Sequence, residues 1–126
     1  MWLQACEILE RAERLHRQFF DLERTLEGES VWTPPIDVFE TEREFVIIAA
    51  LPGVESEHLE VRLERNTLIV AGRRRLPAAA RTAVFHRLEI PLGRFERRVD
   101  LPAVSLAIDR HTFANGCLTL SLRKTP

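Results

Sequence analysis

Beyond Pro35 no run of the chain keeps a helical period. Apolar residues recur instead at every second position, in short runs separated by turn signals. The last run is the sharpest: Leu118, Leu120 and Leu122 point one way and Thr119, Ser121 and Arg123 the other, as in a strand with one buried face. Before it stands Asn115-Gly116, whose residues reach positive φ cheaply, as both central positions of a type I′ turn require. A hairpin is therefore expected there.

The same reading places strands at Ile36–Phe39, at Arg43–Leu51 (stopped by Pro52-Gly53), at Leu59–Glu64, Thr67–Gly72 and Val84–Ile90, at Arg94–Leu101 (stopped by Pro102), weakly at Ile108–Phe113, and at Cys117–Arg123. Many short strands with turns between them predict an all-β, antiparallel β-sandwich. The segment Arg73–Thr82, "RRRLPAAART", is the longest break and reads as a loop whose far end holds the Val84–Ile90 strand.

Residues 1–27 behave differently. Ala5, Ile8, Ala12, Leu15, Phe19, Leu22 and Leu26 recur at spacings of three and four, with Glu7/Arg11, Glu10/Arg14 and Glu13/Arg17 as acid-before-base pairs. This predicts an amphipathic helix ended by Gly28. Trp2, Leu3, Cys6, Leu9 and Phe20 widen its apolar stripe beyond one seam, so it either packs on its own domain or meets other chains or exposed apolar segments. Thr33-Pro34-Pro35 is a stiff extended connector. The expected organisation is a helical arm over 1–32 and a β-domain over 33–126.

At 126 residues one domain of this size holds a real core. All but one of the 18 basic residues are arginine, yet the net charge of -1 gives no field to gather nucleic acid or an anionic membrane. No run is long and apolar enough to span a bilayer. Cys6 and Cys117 lie far apart and read as small apolar residues, and the expected location is a reducing cytoplasm.

Catalytic motifs are missing. The five glycines are isolated, so no phosphate-cradling loop exists. His16, His58, His86 and His111 lack the short spacings of a metal site. Glu55, Glu57 and His58 in "PGVESEHL" read as a solvated polar cap, and Arg73–Arg75 as a solvated strand end rather than a phosphate contact. No enzyme activity, metal or cofactor is expected.

One residue breaks its pattern. In "GRFERRVDLP" the alternation puts Phe95, Arg97, Val99 and Leu101 on one face, so a guanidinium shares the apolar side. Burying it costs several kcal/mol unless a carboxylate meets it, so an acidic partner is expected, or else the side chain snorkels to water.

Taken together, "LPGVESEHLEVRLERNTLIVAGRR" (51–74), "GRFERRVDLP" (93–102) and "ANGCLTLSLRK" (114–124) resemble, in order and spacing, the α-crystallin domain of small heat-shock proteins. The resemblance implies an immunoglobulin-like sandwich and an ATP-independent holdase that captures unfolding clients. It implies a homodimer in which Val84–Ile90 is exchanged onto the partner's first strand. Interface residues would be Ile36, Asp37, Val38, Phe39, Phe85, His86, Arg87, Leu88, Glu89, Ile90 and Arg97, with Glu89 meeting Arg97. Client and assembly contacts would fall on Trp2, Leu3, Ile8, Leu9, Leu15, Phe19, Phe20, Leu22 and Trp32. The family's groove for an Ile-x-Ile/Val anchor matches Leu59, Val61, Leu63, Ile108 and Phe113. Two departures stand out: Asp109 and His111 replace small or apolar residues, making the groove more polar, and no such anchor follows the last strand. The chain as written is therefore expected to form dimers or small oligomers. A β-sandwich co-chaperone or adaptor for one folded partner is the alternative.

Overall fold

The computed structural model describes residues 31–126; the helix expected over residues 1–27 lies outside them. Seven strands follow one another: β1 (Ile36–Glu40), β2 (Glu44–Ala50), β3 (Leu59–Glu64), β4 (Thr67–Arg74), β5 (Gly93–Asp100), β6 (Leu106–Ala114) and β7 (Cys117–Lys124). All pair antiparallel, in a four-stranded sheet ordered β1-β2-β7-β6 and a three-stranded sheet ordered β3-β4-β5.

Side-chain alternation holds the sheets face to face. Phe45, Ile47 and Ala49 of β2 and Leu118, Leu120 and Leu122 of β7 meet Leu68 and Val70 of β4 and Phe95 of β5 in one buried cluster. Each large side chain so buried contributes roughly 1.5–3 kcal/mol. The central strand β4 is buried on both faces: Ile69 points away from the cluster yet is closed off, with Arg62 and Arg98 as its cross-strand neighbours. Their aliphatic stems suit that cover.

The expected hairpin is present. Asn115 and Gly116 both have positive φ, 56° and 73°, between the paired residues Ala114 and Cys117. Gly72 serves another need. A Cβ there would sit 2.2 Å from the His58 carbonyl oxygen and 2.7 Å from the Phe95 ring, so the turn at Ser56–His58 can press against β4 only because the side chain is absent.

Two stretches differ from the sequence expectation. Val84–Ile90 is not a strand within one chain. The connection 75–92 carries only a 3-10 turn at Ala78–Thr82, and Val84, Leu88 and Ile90 stand exposed. A strand needs a ladder partner for its backbone groups, and here none of the described strands pairs with this segment. The weak Ile108–Phe113 run, by contrast, belongs to a nine-residue strand with a bulge between Ile108 and Arg110. The extra residue, Asp109, is what lets the strand keep its apolar face.

Both ends of the sandwich are fastened. Trp32 forms a parallel bridge to Phe95, its N–H donating to Arg94 O at 3.1 Å and its carbonyl accepting from Glu96 N–H at 3.2 Å. Pro34-Pro35 then carries the chain to β1 in the other sheet. The sole lysine, Lys124, donates to Glu40 Oε2 at 2.6 Å and to Thr41 O at 2.9 Å, and its ammonium lies 5.2 Å from the centroid of the Phe45 ring.

Candidate functional site

The bulge in β6 builds the first candidate surface. Ile108 and Phe113 are five residues apart, so simple alternation would place them on opposite faces. With Asp109 looped out, Ile108 lies opposite Leu122, His111 opposite Leu120 and Phe113 opposite Leu118, all on the core side. Arg110 and Thr112 turn outward, opposite Ser121 and Thr119. Across the opening stands β3, and between the two strands lies a groove of about 340 Å³, floored by Leu118 and Leu120 and walled by Leu59, Val61, Ile108 and Phe113. Ser56 and His111 complete the lining.

Four of the five groove residues expected from the sequence thus come together. Leu63 does not line the groove; it packs against the core further along β3. Asp109 also departs from expectation, since it lines a different, polar surface with Arg43, Glu44 and Arg123. Of the two departures Asp109 and His111, only His111 faces the groove. The bulge was not visible in the sequence, because nothing in "LAIDRHTFA" marks which residue is the extra one.

The groove has a second property. β3 and β6 are edge strands of their own sheets, so each presents one row of backbone groups without a strand neighbour. An extended segment laid between them would find both apolar walls and backbone partners.

The other candidate surface is β1, the opposite edge of the four-stranded sheet. Ile36 is half-buried against the core and Asp37 exposed, while Val38 and Phe39 are about half exposed. In the 75–92 connection, Phe85 is half-buried and His86, Arg87 and Glu89 are exposed beside Leu88 and Ile90. Arg87 and Glu89 form a solvent-facing pair at 3.5 Å, worth little in water. The Arg74 guanidinium holds the far end of this connection, donating to Ile90 O at 3.4 Å and Pro91 O at 3.5 Å.

Arg97 lies where the alternation predicts. It is half-buried on the core side of β5 between Phe95 and Val99, opposite Val70. Among the described residues no carboxylate pairs with it, and Glu89 is engaged elsewhere in the same chain. Trp32, expected among the client contacts, is partly enclosed: its ring meets that of Phe95 at 5.2 Å and its indole N–H donates to Gly93 O at 3.4 Å. The remaining client residues, Trp2 to Leu22, lie outside the described part.

A polar cleft of about 500 Å³ between Gly53 and the 3-10 turn gathers Arg74, Arg75, Arg81, Glu55 and His58. His58 Nδ1 is 3.9 Å from Glu55, which leaves the two at the rim of that cleft as a loose solvated pair. Among the described residues no three His, Cys, Asp or Glu side chains cluster as metal ligands, and no helix there is long and apolar enough to cross a membrane.

Comparison with known proteins places this geometry. Residues 37–126 match the model of the Hsp20/alpha crystallin family. The chain is 33% identical over 101 residues to spore protein SP21 of Stigmatella aurantiaca, covering 79% of this chain and 60% of that protein. It is 35% identical over 92 residues to the 16.9 kDa class I heat shock protein 1 of Oryza sativa, covering 71% and 61%. The chain thus spans about 60% of the length of these curated relatives. Among solved structures, hspA from Xanthomonas axonopodis superposes with a TM-score of 0.63 at 30% identity, over 77% of this chain and 98% of that one. HSP18.5 from E. histolytica gives 0.66 at 25% identity, over 76% and 91%. Fold and sequence agree, and the chain belongs to the Hsp20/alpha-crystallin family of small heat-shock proteins, a family whose role is that of a chaperone.

Proposed function

We propose that this chain is an ATP-independent holdase that works in the cytoplasm as a strand-exchanged homodimer, sheltering apolar segments of unfolding proteins. The observation that carries the reading is the groove between β3 and β6, where an apolar floor lies between two unpaired strand edges. An unfolding chain exposes what such a site accepts: extended backbone with apolar side chains at alternate positions.

Dimerisation follows from the other edge. Val38 and Phe39 on β1, and Val84, Leu88 and Ile90 in the 75–92 connection, are exposed apolar residues on strand-competent segments. Laying that connection along the partner's β1 covers both sets and brings Glu89 towards the half-buried Arg97. The arm over residues 1–32 supplies further client contacts through Trp2, Leu3, Ile8, Leu9, Leu15, Phe19, Phe20 and Leu22, and the domain over 33–126 supplies the groove and the dimer.

The test is light scattering of a thermolabile model protein heated with and without this chain, with no nucleotide added. Suppression of aggregation for several unrelated clients supports the reading. Protection confined to one folded partner, or none, overturns it in favour of an adaptor.

A further inference from the structure

The groove contains a residue that its apolar chemistry does not require. His111 stands on β6 between Ile108 and Phe113, opposite Leu120, and it is the single ionisable side chain among the groove's lining residues. The inward residues of β3 facing it are Leu59 and Val61, and those of β7 are Leu118 and Leu120. The charged residues of β3, Glu60, Arg62 and Glu64, alternate to its outer side, where Arg62 pairs with both glutamates. On β6, Arg110 points outward and Asp109 lines a different surface. From the turn before β3, Ser56 reaches the groove, while Glu55 and His58 line the arginine-rich cleft. No carboxylate among the described residues is placed to balance a charge on His111.

We infer that His111 makes the groove's grip on apolar segments pH-dependent, releasing them as the pH falls. This rests on the reading of the groove as an acceptor of extended apolar segments. The occupant is an uncharged stretch with branched side chains at alternate positions, argued from the apolar residues that alternate along β3 (Leu59, Val61) and flank the imidazole on β6 (Ile108, Phe113), and from the two free strand edges. In the open groove the imidazole is exposed and water solvates either protonation state. A docked segment covers it. The neutral form tolerates that cover, whereas the cation loses water and gains no counter-charge. The segment therefore binds the neutral form, and binding weakens as acid protonates the imidazole. A segment with an acidic residue at its centre can supply the missing counter-charge and is held better at low pH.

The experiment measures fluorescence anisotropy of the full chain with a capped peptide containing Ile-Thr-Ile, and a second containing Ile-Glu-Ile, at pH 7.5 and 5.5. For the Ile-Thr-Ile peptide, affinity should fall about tenfold between the two, because acid converts the imidazole to the form that a docked segment cannot cover. His111→Gln should bind it with less than a twofold change, and the Ile-Glu-Ile peptide should lose less affinity than its neutral counterpart. An equal fall in His111→Gln, or no fall in the unsubstituted chain, overturns the inference while leaving the groove reading intact. Val61→Arg, a charge on the opposite wall, separates the two: if it leaves peptide binding unchanged at pH 7.5 while circular dichroism shows it folded, the groove is not the site and both fall. Absence of peptide binding at either pH has the same consequence.

Discussion

Trp32 and Phe95 are joined twice, by a parallel backbone bridge and by rings 5.2 Å apart inclined at 54°. The pair fixes the point at which the segment before β1 leaves the three-stranded sheet for the four-stranded one. Because the indole also donates to Gly93 O, replacing it removes packing and a hydrogen bond together. Trp32→Ala should lower stability by about 3 kcal/mol, at the low end for a large aromatic because the ring is only partly enclosed. Urea unfolding followed by circular dichroism checks this, and Trp32→Phe should recover more than half of the loss.

Gly72 should tolerate no side chain. An added Cβ at 2.2 Å from the His58 carbonyl oxygen and 2.7 Å from the Phe95 ring has nowhere to go, since one obstacle is backbone and the other is core. Gly72→Ala is expected to cost about 3 kcal/mol, the upper range for overpacking. Gly116→Ala makes the contrast: the nearest atom to its added Cβ is 3.7 Å away, and its cost should come from the positive φ of 73° alone, about 1 kcal/mol. Melting temperatures of the two variants should therefore separate clearly.

Arg97 and Glu89 should be coupled across the dimer and uncoupled within a chain. Half-buried on the core side of β5 with no carboxylate beside it among the described residues, Arg97 has a site that an acidic group from a second copy would complete. Arg97→Ala or Glu89→Ala should weaken dimerisation by about 3 kcal/mol when one charge is left behind, and the double substitution should cost less than the sum. Sedimentation equilibrium over a concentration series measures the four constants; strictly additive losses would sink the pairing.

Lys124 combines an ion pair with Glu40, a bond to Thr41 O and the face of the Phe45 ring. Lys124→Gln keeps some hydrogen bonding and loses the charge, for an expected cost of about 1 kcal/mol that shrinks in high salt. Unfolding midpoints in low and high salt test the sign and the salt dependence together.

Strand content was legible wherever local chemistry is decisive. Leu118, Leu120 and Leu122 alternate and are buried, Asn115-Gly116 takes the two positive φ values, and Arg97 shares a face with Phe95 as its spacing requires. Features that depend on a neighbour were not legible. Val84–Ile90 has the alternation of a strand, but in one chain it has no ladder to join, so its pattern describes a potential contact and not a local conformation. The Asp109 bulge was hidden for a related reason: an extra residue is defined only against the strand it pairs with, here by the placement of Ile108 opposite Leu122 and Arg110 opposite Ser121. Four groove residues were found and His111 was noticed as an oddity, yet that it and not Asp109 faces the apolar floor emerged only from the register.

The solitary lysine gives the molecule a chemical reporter. Acylating reagents find one side-chain amine in the whole sequence, and that amine is held against Glu40, Thr41 O and an aromatic face. It reacts freely only when the side chain has left Glu40 and Thr41 O, at the corner between the end of β7 and the β1–β2 turn, which adjoins the proposed dimer edge. The rate of its acylation therefore clocks the opening of the contacts at that corner, and a second copy laid along β1 should slow the clock without touching the lysine itself.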